Sequence, residues 1–173
     1  MKRHLFALGA LAWMAGAAAP AVAQDREIGR QGATQLSFQA VVTGSQAASD
    51  FQGFYFGAWD IGYFTSEHLV LRVGNQFQGA FNSGANQPSL STNVGSTYYF
   101  SPHTPTSFYT SGIYSFRLTN RSEGDRGDLV GSIGVQAAVR SNASVFFEGG
   151  YGRSLSSGGS GVLLSSVGLR VLF

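Results

Sequence analysis

From about Ala33 to its last residue the chain alternates apolar and polar positions with a period of two. The pattern is clearest in the final eight residues, SVGLRVLF. There Val167, Leu169, Val171 and Phe173 share one face of an extended strand, and Gly168, Arg170 and Leu172 share the other. Seven earlier stretches obey the same rule, so the spacing predicts strands over 33–43, 53–64, 69–79, 90–100, 107–118, 128–139, 144–153 and 162–173. One face of each suits hydrocarbon: Leu36 and Phe38 in the first, Trp59 and Ile61 in the second, Leu71 and Val73 in the third. The opposite face holds Gly, Ser, Thr, Gln and a few charges. Strands written for lipid on one side and a small, polar interior on the other predict an all-β chain, an eight-stranded antiparallel up-and-down transmembrane β-barrel.

The connections sort by length in a way that supports this reading. Those after strands two, four and six are short, while the segments 44–52, 80–89, 119–127 and 154–161 are longer and more polar. Short periplasmic turns alternating with longer outer loops suit a bacterial outer-membrane barrel whose two termini lie in the periplasm. Aromatics gather near strand ends, with Tyr63, Tyr98, Phe100, Phe108 and Phe173 on one side and Tyr55, Phe77, Phe116 and Tyr151 on the other. They are expected to form two interfacial girdles.

Charge follows the same parity. Asp60, Arg72, Arg117, Glu148 and Arg170 all take the inward positions, and no charge within a strand is expected on the outward ones. A charged side chain facing lipid near the midplane costs roughly 2–4 kcal/mol. An eight-stranded barrel is just wide enough for side chains to fill it, so these five are expected to pair and plug the lumen together with the bulk of Phe54, Phe56, Tyr99 and Phe146. Such a network serves either as a gate or simply to satisfy buried charge.

The first residues are a separate matter. Lys2 and Arg3, an apolar run from Leu5 to Ala19 and the small-residue site Ala21-Val22-Ala23 describe a cleaved secretory signal peptide, giving a signal over 1–23, a polar lead-in over 24–32 and a barrel over 33–173. Cleavage removes two of the 11 basic residues and none of the nine acidic ones, so the mature chain is formally neutral and its composition gives no support to nucleic acid as a partner. With no cysteine, neither a lipid-anchored cysteine nor a disulfide is available.

Catalytic chemistry finds little footing. Only His68 and His103 survive cleavage, both in periplasmic connections, and a serine without a positioned base is just a polar residue. No catalytic, cofactor-binding or metal site is predicted, and no cofactor. Arg126-Gly127-Asp128 matches the RGD adhesion tripeptide at the end of an outer loop.

The signal peptide, the strand-turn-strand units GYFTSEHLVLR and GVQAAVRSNASVFFEGGYG, and the terminal SVGLRVLF together resemble the small outer-membrane β-barrel family, the porin-family group that includes the OmpA transmembrane domain and OmpX-like proteins. The resemblance covers nearly the whole mature chain. It implies that Val167, Leu169, Val171 and Phe173 form the terminal signal read by the barrel-assembly machinery. It also implies a cell-surface location in the outer membrane of a Gram-negative bacterium, with outer-membrane lipid and lipopolysaccharide as surroundings and a host or surface ligand as a candidate at the outer loops. The function expected is a structural or surface-interaction role with a plugged interior. A narrow channel for small solutes is the alternative, motivated by three arginines against two carboxylates in the strands, and a lipid A-modifying enzyme is the third reading.

Overall fold

The computed structural model describes residues 29–47, 50–81, 88–119, 126–156 and 161–173, and of 42–54 and 80–81 only the backbone. The predicted signal peptide, most of the lead-in, the side chain of Phe54 and the centres of the predicted loops lie outside the described residues. Eight strands follow one another: β1 (Thr34–Ala47), β2 (Asp50–Phe64), β3 (Leu69–Phe81), β4 (Ser89–Tyr99), β5 (Thr106–Arg117), β6 (Asp128–Arg140), β7 (Ala143–Ser154) and β8 (Gly161–Leu172). Each pairs antiparallel with the next and β8 returns to β1, which makes a closed up-and-down barrel. No helix occurs among the described residues. The predicted fold class is the one observed.

Closure follows from the alternation. Antiparallel neighbours in register place like parities side by side, for example Trp59 beside Phe38 and Asp60 beside Ser37. A single sheet curled on itself therefore gathers most of the polar positions inside. The result is an inside-out burial pattern. Ile133 is 72% exposed and Phe108 65%, whereas Gln35, Gln136 and Arg170 are fully buried. Five apolar or aromatic side chains do fill part of the lumen: Phe64, Val70, Tyr99, Tyr109 and Phe146 cluster near the end where β1 starts and β8 finishes, with Ala33 and Leu172 packed against them.

Local chemistry sets the short turns at that end. Between β2 and β3 the Thr65 amide donates to Leu69 O at 2.9 Å, and Ser66 Oγ accepts from the Leu69 amide at 3.1 Å. Between β6 and β7 the register shifts across Ala138 and Arg140 before a two-residue turn. The chain end is tied to its beginning, since Thr34 and Phe173 exchange backbone hydrogen bonds at 3.2 and 2.9 Å.

At the other end the predicted loop boundaries need correction. The segment 44–52 is mostly strand, because β1 runs to Ala47 and β2 starts at Asp50, with Gly44 opposite Gly53. β3 likewise runs to Phe81. Hydropathic alternation depends on what each face meets, but the hydrogen-bonded ladder needs only a partner strand and continues past the point where the alternation fades.

Candidate functional site: the barrel lumen

β2 and β3 set the centre of the lumen. Asp60 and Arg72 take inward positions on these adjacent strands and are both almost fully buried. Arg72 Nε donates to Asp60 Oδ1 at 2.8 Å and Nη2 donates to Oδ2, a two-pronged pair. The remaining nitrogen, Nη1, donates to Thr97 Oγ1 at 3.1 Å, and Thr97 shares a 2.9 Å hydrogen bond with Ser111. A void of about 10 Å³ lies beside the pair, lined by Gln39, Gly74, Asn93 and Ile113 among others, which is space for about one water.

Nearer the termini, Arg170 of β8 lies inside an aromatic cage. Its guanidinium carbon is 4.1 Å from the centre of the Phe146 ring and 4.3 Å from that of Tyr109, with Tyr99 at 5.9 Å. Nη1 donates to Gln136 Oε1 at 2.5 Å and to the Tyr99 hydroxyl at 3.1 Å. That hydroxyl is also within 3.1 Å of Gln35 Oε1. Glu148 stands off at 3.9 Å from Nη2, too far for a hydrogen bond. The cage has room because two inward neighbours are glycines. A Cβ at Gly134 meets the Tyr109 ring, and one at Gly168 meets both the Phe146 ring and the Phe38 carbonyl.

The five predicted lumen charges therefore lie in separate groups along the barrel. Asp60 and Arg72 pair, Arg170 and Glu148 face each other loosely, and Arg117 is 3.9 Å from Asp128, a residue the sequence reading missed as a partner. Asp128 opens β6 as the strand predicted over 128–139 does, so its inward parity was legible and only its partner was not. Gln136 and Tyr109, which hold or face Arg170, and Gln35, which accepts from Tyr99, carried no signal beyond their parity.

The outward parity is not free of charge as expected, since Arg153 occupies it and is exposed at the loop end of β7. Burial cost explains the exception, because the penalty for a lipid-facing charge falls to about 0–1 kcal/mol near the interfaces. The RGD tripeptide is not presented as an open loop tip. Gly127 is buried with φ +82°, its carbonyl accepts from the Leu155 amide at 2.9 Å, and Asp128 turns to Arg117. Of the four positions predicted to form a terminal assembly signal, Val167, Leu169 and Phe173 are exposed on the outer wall and Val171 is half-buried.

The two histidines sit at the terminal end, away from the lumen centre. His68 Nδ1 lies 2.7 Å from Tyr99 O, and His103 Nε2 lies 3.1 Å from Glu67 Oε2. Among the described residues no group of three or more His, Cys, Asp or Glu is placed to hold a metal ion.

No family model matches the sequence, and no curated protein is similar to it. Among solved structures, a de novo designed transmembrane β-barrel aligns with 84% of this chain and 99% of its own, with a TM-score of 0.50 and 16% identity. The fold is that of a transmembrane β-barrel. The outer membrane protein OprG from Pseudomonas aeruginosa aligns over 86% of this chain and 99% of its own at a TM-score of 0.48 and 11% identity.

Proposed function

We propose that this chain is an integral outer-membrane β-barrel protein with a structural or surface-interaction role, whose lumen is plugged by paired charge rather than open to solutes. The observation that carries the reading is the reversed burial. Large apolar side chains such as Trp59, Leu71, Val73 and Ile133 are exposed on the outer wall, while Asp60, Arg72 and Arg170 are withdrawn inside. In water such a belt is a severe liability, whereas in a bilayer it is the favoured surface.

Support for the plug comes from the near-complete burial of the Asp60–Arg72 pair and from the caged Arg170 between it and the terminal end. A non-enzymatic role fits the placement of both histidines outside the lumen centre. In this setting the loops beyond β1, β3, β5 and β7 meet the outside, and β8, with Val167, Leu169, Val171 and Phe173 on its outer face, serves as the signal for the barrel-assembly machinery.

Planar-bilayer recording on the refolded mature chain tests the plug. We expect no steady conductance. A steady, anion-favouring conductance overturns the plugged lumen and supports the narrow channel.

A further inference from the structure

β1 and β8 close the barrel over a short ladder. Their pairing runs from Gln35 opposite Leu172 to Ala40 opposite Val167. The same register continued joins Val41 to Ser166, yet among the described residues no such rung forms. Instead β1 continues to Ala47 against β2 alone, and β8 begins at Gly161 against β7 alone. Ser166 Oγ donates to Gln39 Oε1 at 3.3 Å where the strands part. With the Thr34–Phe173 pair included, seven tilted rungs give about 15 Å of barrel height against an apolar band about 25 Å tall, so the seam parts within that band. Its two edges carry backbone amides and carbonyls that hydrocarbon cannot satisfy.

Two features beside the parting favour one kind of occupant. At its foot the outer wall is hollowed into an apolar groove of about 450 Å³ lined by Phe38, Ala40, Gly57, Trp59, Phe77 and Leu169, among others. Toward the loop end of the same seam, Leu163 is exposed on the outward face, and Arg153 of the neighbouring strand β7 sits opposite Gly161 of β8. Arg153 is exposed and makes no ion pair with a described residue. An apolar slot and a strip of unpaired edge along the seam, with a cation on the adjoining strand that has no ion pair among the described residues, match an amphiphile's tail, polar junction and acidic head.

We propose that the parted β1–β8 seam is a berth for one anionic membrane phospholipid, with an acyl chain in the groove, the ester and phosphate region against the open edges, and the acidic head at Arg153. This rests on the outer-membrane reading above. A paired strand from a second copy satisfies the edges too, but it leaves the groove and the arginine unused.

Trp59 lines the groove and is the sole tryptophan of the mature chain. Refolded protein in phosphatidylcholine vesicles is titrated with tail-brominated phosphatidylglycerol or tail-brominated phosphatidylcholine while Trp59 fluorescence is followed. We expect phosphatidylglycerol to quench half-maximally at about fivefold lower mole fraction, the effect of roughly one charge at a membrane surface. The preference should vanish in Arg153→Gln. It should also vanish in Val41→Cys/Ser166→Cys when the pair is oxidised to close the seam, and return on reduction. Quenching by neither lipid overturns the membrane reading itself. Equal quenching by both, a preference unchanged in these variants, or a cross-linkable dimer through β8 in place of lipid binding leaves that reading standing and overturns the berth.

Discussion

Asp60 and Arg72 illustrate how a buried ion pair is held in this lumen. Each charge has lost water, and the two-pronged geometry plus Thr97 satisfies the guanidinium from three sides. Removing one partner leaves an uncompensated buried charge, which typically costs about 3–5 kcal/mol, whereas replacing both with apolar residues is often close to neutral. We therefore expect Asp60→Leu to lower the urea-unfolding free energy in vesicles by about that amount, and Asp60→Leu/Arg72→Met to recover most of it. A double variant no more stable than Asp60→Leu rules out the pair as the organising contact. Arg170 is stabilised differently, by ring faces and Gln136 rather than by a close carboxylate. Its position depends on Gly134 and Gly168 leaving space for the rings, so the glycines there serve packing rather than turning.

At the level of the strand, parity decides what each position tolerates. Ile133 lies mid-strand on β6, outward and 72% exposed, so water alone predicts an easy substitution. A lipid-facing midplane position predicts the opposite: Ile133→Arg should cost roughly 2–4 kcal/mol in unfolding from vesicles. A cost near zero places that face in water. The closing strand gives a second test. Phe173 exchanges backbone hydrogen bonds with Thr34 and exposes its ring at the terminal rim. Deleting it should lower the folded, heat-modifiable fraction on gels run with and without boiling, and unchanged folding removes any terminal-signal role. Parity also accounts for Arg153, the outward charge at the end of β7, because the penalty depends on depth as well as on face.

For the whole molecule, the eight strands, their order and their inward and outward faces were legible in the sequence. A period of two needs no tertiary information, and each of the eight stretches repeats it independently. Strand ends were less legible: the ladder of β1 and β2 outruns its own hydropathy signal up to Ala47 and Asp50. The grouping of the lumen charges was hidden for another reason. Residues of like parity all point inward, but which of them meet depends on strand tilt and on the height each occupies. Asp60 and Arg72 meet across one hairpin, whereas Arg170 meets Gln136 from β6 and Tyr99 from β4, distant along the chain. Arg117 finds Asp128, just beyond a segment that the sequence presents only as a charged loop.

By itself, the order of residues determined a closed sheet with an apolar outside, because alternation is a local property and an antiparallel register preserves it from strand to strand. Only the tertiary structure decided which lumen charges pair, how Arg170 is caged and where the first and last strands part. Those outcomes depend on distances across the barrel and on where its ends meet, and no neighbour-to-neighbour pattern along the chain encodes either.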